Sequence, residues 1–340
     1  MISEDKYFKL FANCIPVKGY RRSIICDLHN ENFVFIPNDL YKILNDYYDR
    51  TIFEIKRIYE NKYDEIVESY FTFLIEKNFI FFCEKDELEF FPNIDLSWDE
   101  PSPIANAIIE NDSNSNHDFQ NIFMQLDELL CNNIQLKFYN NIRKKELIDI
   151  LVLLEDTAIL IVEVVMFNTM NFLTNDYKEI FKKFTRLRNV YLHNSDEFKI
   201  IPFTYSNSNL IYLKNDINGP RSCGNIHPNY FSINTKQFTE SLNFNTCLNR
   251  KISVDKKGEI RNCPLMDISY GNINKIKLKE IINLKSFQEK WRISKDKIEI
   301  CRDCEFRYIC TDCRTNIEDI RNIYSKPKNC PYNTYTAKGF

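Results

Sequence analysis

Glycine is scarce in this 340-residue chain, with six in all (Gly19, Gly219, Gly224, Gly258, Gly271 and Gly339) and none between residues 20 and 218. Loops that cradle phosphate need glycine so that backbone N–H groups can approach the oxygens. No P-loop, dinucleotide fingerprint or kinase-type loop therefore fits in the first two thirds, and direct nucleotide chemistry is not expected. Neither sign of charge is in excess: 45 Lys+Arg stand against 48 Asp+Glu, a net charge of −3. That balance gives no basic footprint for nucleic acid and no polybasic patch for a membrane. Long apolar runs are also missing. The longest, Ala158–Phe167, is interrupted by Glu163 and falls short of the roughly 20 residues that cross a bilayer. Met1–Lys6 lacks the basic-then-apolar order of a signal peptide. These absences predict a soluble, cytoplasmic protein.

Cysteine is plentiful, at twelve residues. A cytoplasmic setting keeps thiols reduced, so disulfides are not expected. Cys14, Cys26, Cys83 and Cys131 are scattered and read as small buried apolar residues. The other eight fall between Cys223 and Cys330 and need another explanation.

Residues 1–95 read as strands followed by helices. Tyr7–Cys14, Ser23–Leu28 and Asn32–Ile36 are short aromatic or β-branched runs between turn-prone segments. Asn38 is a candidate N-cap, Thr51-Ile52-Phe53-Glu54 a capping box for a second helix, and Tyr63–Lys77 a third with Ile66, Tyr70, Phe73 and Leu74 on one face. Phe79–Cys83 and Glu87–Phe91 read as a closing hairpin. The order suggests a winged helix-turn-helix, but Asp64, Glu65, Glu68 and Glu76 on the third helix would repel DNA phosphates. It resembles instead the PqqD-like peptide-recognition domain of enzymes that modify ribosomally made peptides. That resemblance implies that a precursor's leader adds as a strand beside Asn32–Ile36, near Tyr63–Lys77, with Phe33, Phe35 and Tyr70 as contacts. Strand addition draws affinity from main-chain hydrogen bonds and register from side-chain pockets.

Beyond a proline-containing linker at Leu96–Pro103, residues 96–215 alternate strand-like and helix-like segments about every 28 residues. Such βα units predict a parallel sheet of four to six strands, a partial barrel or open sheet. The overall fold class is α/β.

In residues 216–340, Cys247, Gly258 and Cys263 flank a predicted hairpin of Arg250–Asp255 and Glu259–Cys263, with Gly258 supplying the turn's positive φ. Cys301, Cys304, Cys310 and Cys313 follow as C-x2-C-x5-C-x2-C, and Cys330 precedes Pro331. Arg302, Arg307 and Arg314 are placed to offset thiolate charge. Zinc ribbons separate their pairs by about 15–20 residues, whereas five separate Cys304 from Cys310. Eight cysteines make two sets of four, as two iron–sulfur clusters require; a zinc-binding structural module is the alternative.

The order C-x10-G-x4-C, gap, C-x2-C-x5-C-x2-C, gap, C resembles the SPASM domain, the auxiliary-cluster module of radical SAM peptide-modifying enzymes. The resemblance implies two [4Fe-4S] clusters: one on Cys247, Cys263 and Cys313 with Cys223, the other on Cys301, Cys304, Cys310 and Cys330. The C-x3-C-x2-C that would bind the S-adenosylmethionine-cleaving cluster occurs nowhere in the chain, and Glu110–His117, where it would stand, has no cysteine. Taken whole, the chain is similar to the SPASM-domain peptide maturase of grasp-with-spasm systems. That implies an ATP-grasp ligase and a precursor-peptide leader as partners, and no radical generation by this chain alone. A peptide-modifying enzyme working through a cluster with an open iron is the rival reading.

Overall fold

The computed structural model describes residues 3–169, 172–217, 219 and 223–340. The chain forms two compact units that do not follow sequence order. The first comprises Met1–Trp98, Ile226–Thr246 and Ile293–Phe340; the second, Asp99–Asn225 and Cys247–Arg292. Residues 216–340 are thus shared between both units instead of forming a third domain.

The first unit begins with β1 (Tyr7–Leu10), β2 (Cys14–Val17), β3 (Ser23–Asp27) and β4 (Asn32–Ile36), then α1 (Asn38–Asp46), α2 (Ile52–Ile58), α3 (Asp64–Glu76) and β5 (Ile80–Cys83). Strands β2, β3 and β4 form an antiparallel sheet in which β4 is an edge. The two faces of that sheet serve two cores. Ile25 and Ile36 pack with Leu40, Ile55, Phe71 and Leu74 of the helices. Val17, Ile24 and Cys26 pack with Phe306, Ile309 and Tyr332 from the far end of the chain.

Several local expectations need correcting. The buried stripe of α3 is Val67, Phe71 and Leu74, while Ile66 is exposed, so the apolar face is rotated by one residue. Asn38 is the first residue of α1, not its cap; its side chain instead accepts from Ser23 Oγ (2.6 Å) and donates to Tyr20 O (3.0 Å). The closing hairpin does not form. Strand β5 pairs antiparallel with β1, and Lys85–Phe90 is a 3-10 helix. Its start is fixed by Glu87, whose carboxylate accepts from Glu84 N at 2.8 Å. The Thr51 capping box is present as read.

The second unit carries β6 (Asn106–Asn111), α4 (Phe119–Glu128), β7 (Asn133–Phe138), α5 (Lys144–Val152), β8 (Ile161–Phe167), α6 (Thr174–Lys183), β9 (Leu187–His193), β10 (Lys199–Phe203) and β11 (Ser208–Tyr212). Two strands from after the first unit's middle segment, β12 (Lys251–Val254) and β13 (Ile260–Arg261), complete an eight-stranded open sheet ordered β10-β11-β9-β8-β7-β6-β12-β13. The pairs from β11 through β12 are parallel, with an antiparallel strand at each end. Side chains alternate across a strand, and here the alternation separates two chemistries. Ile109, Leu136, Val164, Val190 and Ile252 join Phe123, Leu147 and Phe181 of α4, α5 and α6 in the core. The opposite face presents Gln135, Lys137, Glu163, Asn189 and Tyr191.

The first unit is completed by α7 (Thr235–Asn243) and the irregular segment 293–340. Phe238 of α7 and Phe306 anchor that segment in the same core as β2 and β3.

Candidate metal centre

Cys14, Cys26, Cys83 and Cys131 are buried as expected, and burial pushes the Cys14, Cys26 and Cys131 thiols up to about 12. Such thiols are inert packing groups. No disulfide forms among the twelve.

The clustered cysteines fall into two neighbourhoods. In the first unit a single turn of 3-10 helix at Cys301–Asp303 begins the dense motif. Ile300, at φ +67°, redirects the chain into it. Cys301 and Cys310 are buried and Cys304 and Cys330 half-buried. Burial pushes Cys301 up to about 12, and Cys310 and Cys330 lie close enough to raise it further. Burial likewise raises Cys304, with Cys310 and Cys301 among its neighbours, and Cys310, with Cys330 among its own. Cys301, Cys304, Cys310 and Cys330, expected to share one cluster, all lie in the first unit and act on one another electrostatically.

In the second unit, the β12–β13 hairpin turns at Gly258, whose φ is +82°. A side chain there would also crowd Asn272 at 3.1 Å. The hairpin places Cys247 just before β12 and Cys263 just after β13. Burial raises Cys263 to about 12, with Cys247 and the exposed Cys223 adding to that effect. Cys313, expected to join these three, belongs to the first unit, where its Sγ lies 3.1 Å from Thr315 Oγ1.

Each neighbourhood contains one lysine that the sequence reading missed. Lys295, only 5% exposed, donates to Cys310 Sγ at 3.4 Å and to Thr311 O at 2.7 Å. Burial works to lower its pKa, but Cys310, Cys301, Asp312 and Cys304 together raise it. The half-buried Lys251 donates to Cys247 Sγ at 3.5 Å and is raised in the same way by Cys247, Cys263 and Cys223. A buried ammonium needs a compensating anion. Asp312, the one carboxylate among those acting on Lys295, already pairs with Arg314 at 2.6 Å. Thiolates are the anions that remain. Of the three arginines named from sequence, Arg307 pairs with Asp296 at 2.9 Å and donates to Cys304 O at 3.0 Å, and Arg314 pairs with Asp312.

Among the described residues no group of three or more Cys, His, Asp or Glu side chains is placed to hold a metal ion. A four-iron cluster spreads its thiolates over four metals. The neighbouring lysines would offset its negative charge.

The loop after β6 is tied down by polar contacts. Lys256 pairs with Asp112 at 3.1 Å, and Ser115 Oγ donates to Lys256 O at 2.7 Å. Glu110 at the end of β6 is buried, which raises its pKa, and it accepts from Tyr139 OH. His193 is buried, its pKa is lowered by burial, and its Nδ1 accepts from Ile217 N at 3.2 Å. His227 caps a short turn, accepting from Asn229 N at 3.2 Å. His193 Nδ1 also lies 3.2 Å from Asp216 Oδ1.

The residues assigned to leader binding do not share one surface. Phe33 and Phe35 pack edge-on against each other at 5.4 Å and both meet Phe306, at 5.5 and 5.9 Å. Arg22 lies 3.6 Å from the centre of the Phe35 ring. Tyr70 packs on the helical core together with Val34, on the other face of β4.

Residues 246–305 match the SPASM model, an iron–sulfur cluster-binding domain. No curated protein matches the chain. Among solved structures, Streptococcus suis SuiB bound to S-adenosylmethionine is 14% identical, with a TM-score of 0.40 over 97% of this chain and 99% of that one. SuiB bound to precursor peptide SuiA is 12% identical, with a TM-score of 0.38 over 96% of this chain and 98% of that one. No helix among the described residues is long and apolar enough to cross a membrane.

Proposed function

We propose that this chain is a maturation component for a ribosomally made peptide. It captures the precursor's leader on the β4 edge, carries two four-iron clusters, and presents the peptide to a partner ATP-grasp ligase. The observation that carries the iron–sulfur part is the pairing of each thiol set with its own lysine, within and beside the matched residues 246–305. The second cluster takes Cys301, Cys304, Cys310 and Cys330. The first takes Cys223, Cys247 and Cys263, the clustered thiols of the second unit. When bound, such clusters supply electron transfer or a rigid framework, and the chain's own residues supply charge balance and burial.

The absence of C-x3-C-x2-C supports a role without radical initiation by this chain. The leader reading draws on the geometry of β4. Its only partner among the described strands is β3, so its other edge is open to an added strand, with Phe33 N donating to Asn32 Oδ1 at 2.7 Å until that strand arrives. Phe33 and Phe35 would then govern how the edge meets the Phe306 region, while Val34 and Tyr70 face the helical side.

The test is leader binding by the full iron-loaded chain with and without Phe35→Pro, which disturbs the edge. Binding should weaken at least about tenfold while iron content stays unchanged, and should survive high salt, because strand addition does not depend on counterion release. Unchanged leader binding by the variant would remove β4 as the docking edge.

A further inference from the structure

The face of the second unit's sheet turned away from α4, α5 and α6 carries an organised polar row. Gln135, Glu163, Asn189 and Asn209 stand level across four neighbouring strands. Glu163 Oε2 accepts from Gln135 Nε2 at 3.0 Å; Oε1 accepts from Asn189 Nδ2 at 2.8 Å and Tyr191 OH at 3.2 Å. Asn209 Nδ2 in turn donates to Asn189 Oδ1 at 3.1 Å. A carboxylate only accepts, which fixes both flanking amides as donors and leaves Asn189 Oδ1 free to accept from Asn209. Every donor in the row therefore runs toward Glu163.

A structural staple would pair the carboxylate with a cation, as Asp255 pairs with Arg261 at 3.3 Å on the same sheet. Glu163 has only neutral partners in this network. Three hydrogen bonds hold it in place without an ion pair among the described residues, and roughly one of its four lone-pair sites is vacant. The side chain is half-buried, so it remains accessible.

We infer that Glu163 is the anionic anchor of a binding surface for a peptide segment bearing an amine side chain. The amine follows from the carboxylate: an ammonium supplies the missing charge and fills the vacant position with a charge-assisted hydrogen bond. The peptide follows from dimensions. Six parallel strands at about 4.8 Å spacing make a face ~24 Å across, the reach of about seven extended residues, far more than a small amine needs. Only the identification of the bearer as a peptide rests on the maturation reading; the cation rests on Glu163.

The probe is Ala-Ala-Lys-Ala-Ala-amide carrying fluorescein on its N-terminal amine, read by anisotropy on the full iron-loaded chain, with the identically labelled norleucine peptide as its neutral counterpart. The lysine peptide should bind about tenfold or more tightly than the norleucine one, the usual scale of a charge-assisted hydrogen bond. Glu163→Gln, with iron content and melting temperature retained, should abolish that preference; Tyr191→Phe, which keeps the carboxylate, should preserve most of it. Equal affinity for the two peptides, or a preference that persists in Glu163→Gln, overturns the assignment and leaves the row as a staple between strands. If Glu163→Gln does not fold, competition on the unmodified chain decides. Displacement by n-butylammonium but not n-butanol supports the anchor, and any other pattern overturns it. The probe contains no leader, so this test and the Phe35→Pro test fail independently.

Discussion

Replacing Lys295 by methionine keeps the length and apolar stem of the side chain and deletes one buried positive charge. The ammonium sits 3.4 Å from Cys310 Sγ. Two unit charges at that separation interact by about 5 kcal/mol at an effective dielectric near 20. A four-iron cluster spreads its charge over several sulfurs, so roughly 2 kcal/mol is a fair share for the change on adding one electron. With a tenfold change in equilibrium, about 1.4 kcal/mol, corresponding to 59 mV for a one-electron couple, Lys295→Met should lower that cluster's reduction potential by about 90 mV. The other cluster, served by Lys251, should hardly move. An anaerobic redox titration followed by electron paramagnetic resonance reads both.

Stability should show the opposite sign in the two iron states. Without iron the buried ammonium lacks its anion, so Lys295→Met should stabilise the iron-free chain by on the order of 1 kcal/mol. With iron bound, loss of the charge-assisted hydrogen bond should destabilise the chain by about 1.5–3 kcal/mol. Identical shifts in both iron states, together with an unchanged potential, would show that Lys295 packs rather than balances charge.

Three further outcomes follow from the thiols and from the loop after β6. Cys304→Ala should lose about half the iron and destabilise the first unit, because cluster ligation is coupled to folding; stoichiometric zinc without labile sulfide in the unmodified protein would defeat the cluster assignment. The iron-free chain should lose stability as pH rises from about 9 toward about 12, since Cys301 and Cys263 keep their protons to about 12 when folded but release them near the ordinary value of 9.0 when unfolded. Denaturant titration at several pH values measures that slope, and iron loading should reduce it to the part left by Cys14, Cys26 and Cys131. The reduced protein should form no 5′-deoxyadenosine from S-adenosylmethionine, and product above a no-protein control would place cleavage at cysteines outside Glu110–His117.

The hairpin around Gly258 was legible from its turn chemistry. Lys295 carried no such mark: it lies six residues before Cys301 in a charged stretch that reads as solvated surface, and only the fold of Ile293–Asp303 buries it. The alternation of Asn32–Ile36 identified a strand but not which core each face would meet, since one of those cores comes from residues beyond 300. Lys85–Phe90 misled because an alternating stretch can become a 3-10 turn once a local carboxylate caps it. The polar row around Glu163 lay inside an apolar run, where a single glutamate looks like an interruption until its three donors arrive from neighbouring strands.

The first unit is assembled from both extremes of the chain, with Arg22 Nε donating to Glu305 Oε1 at 2.9 Å across 283 residues of sequence. This sets an order of events during synthesis. At about 5–20 residues per second, tens of seconds separate the emergence of Val17, Ile24 and Cys26 from that of Phe306 and Tyr332, which cover them. A nascent chain therefore displays an uncovered apolar sheet face throughout translation, a natural target for holdase chaperones. A transcript truncated before residue 300 would leave it exposed for good. Any metal delivery to Cys301, Cys304, Cys310 and Cys330 would wait for the same segment, so cofactor supply and the covering of that sheet face would converge on the moment it emerges.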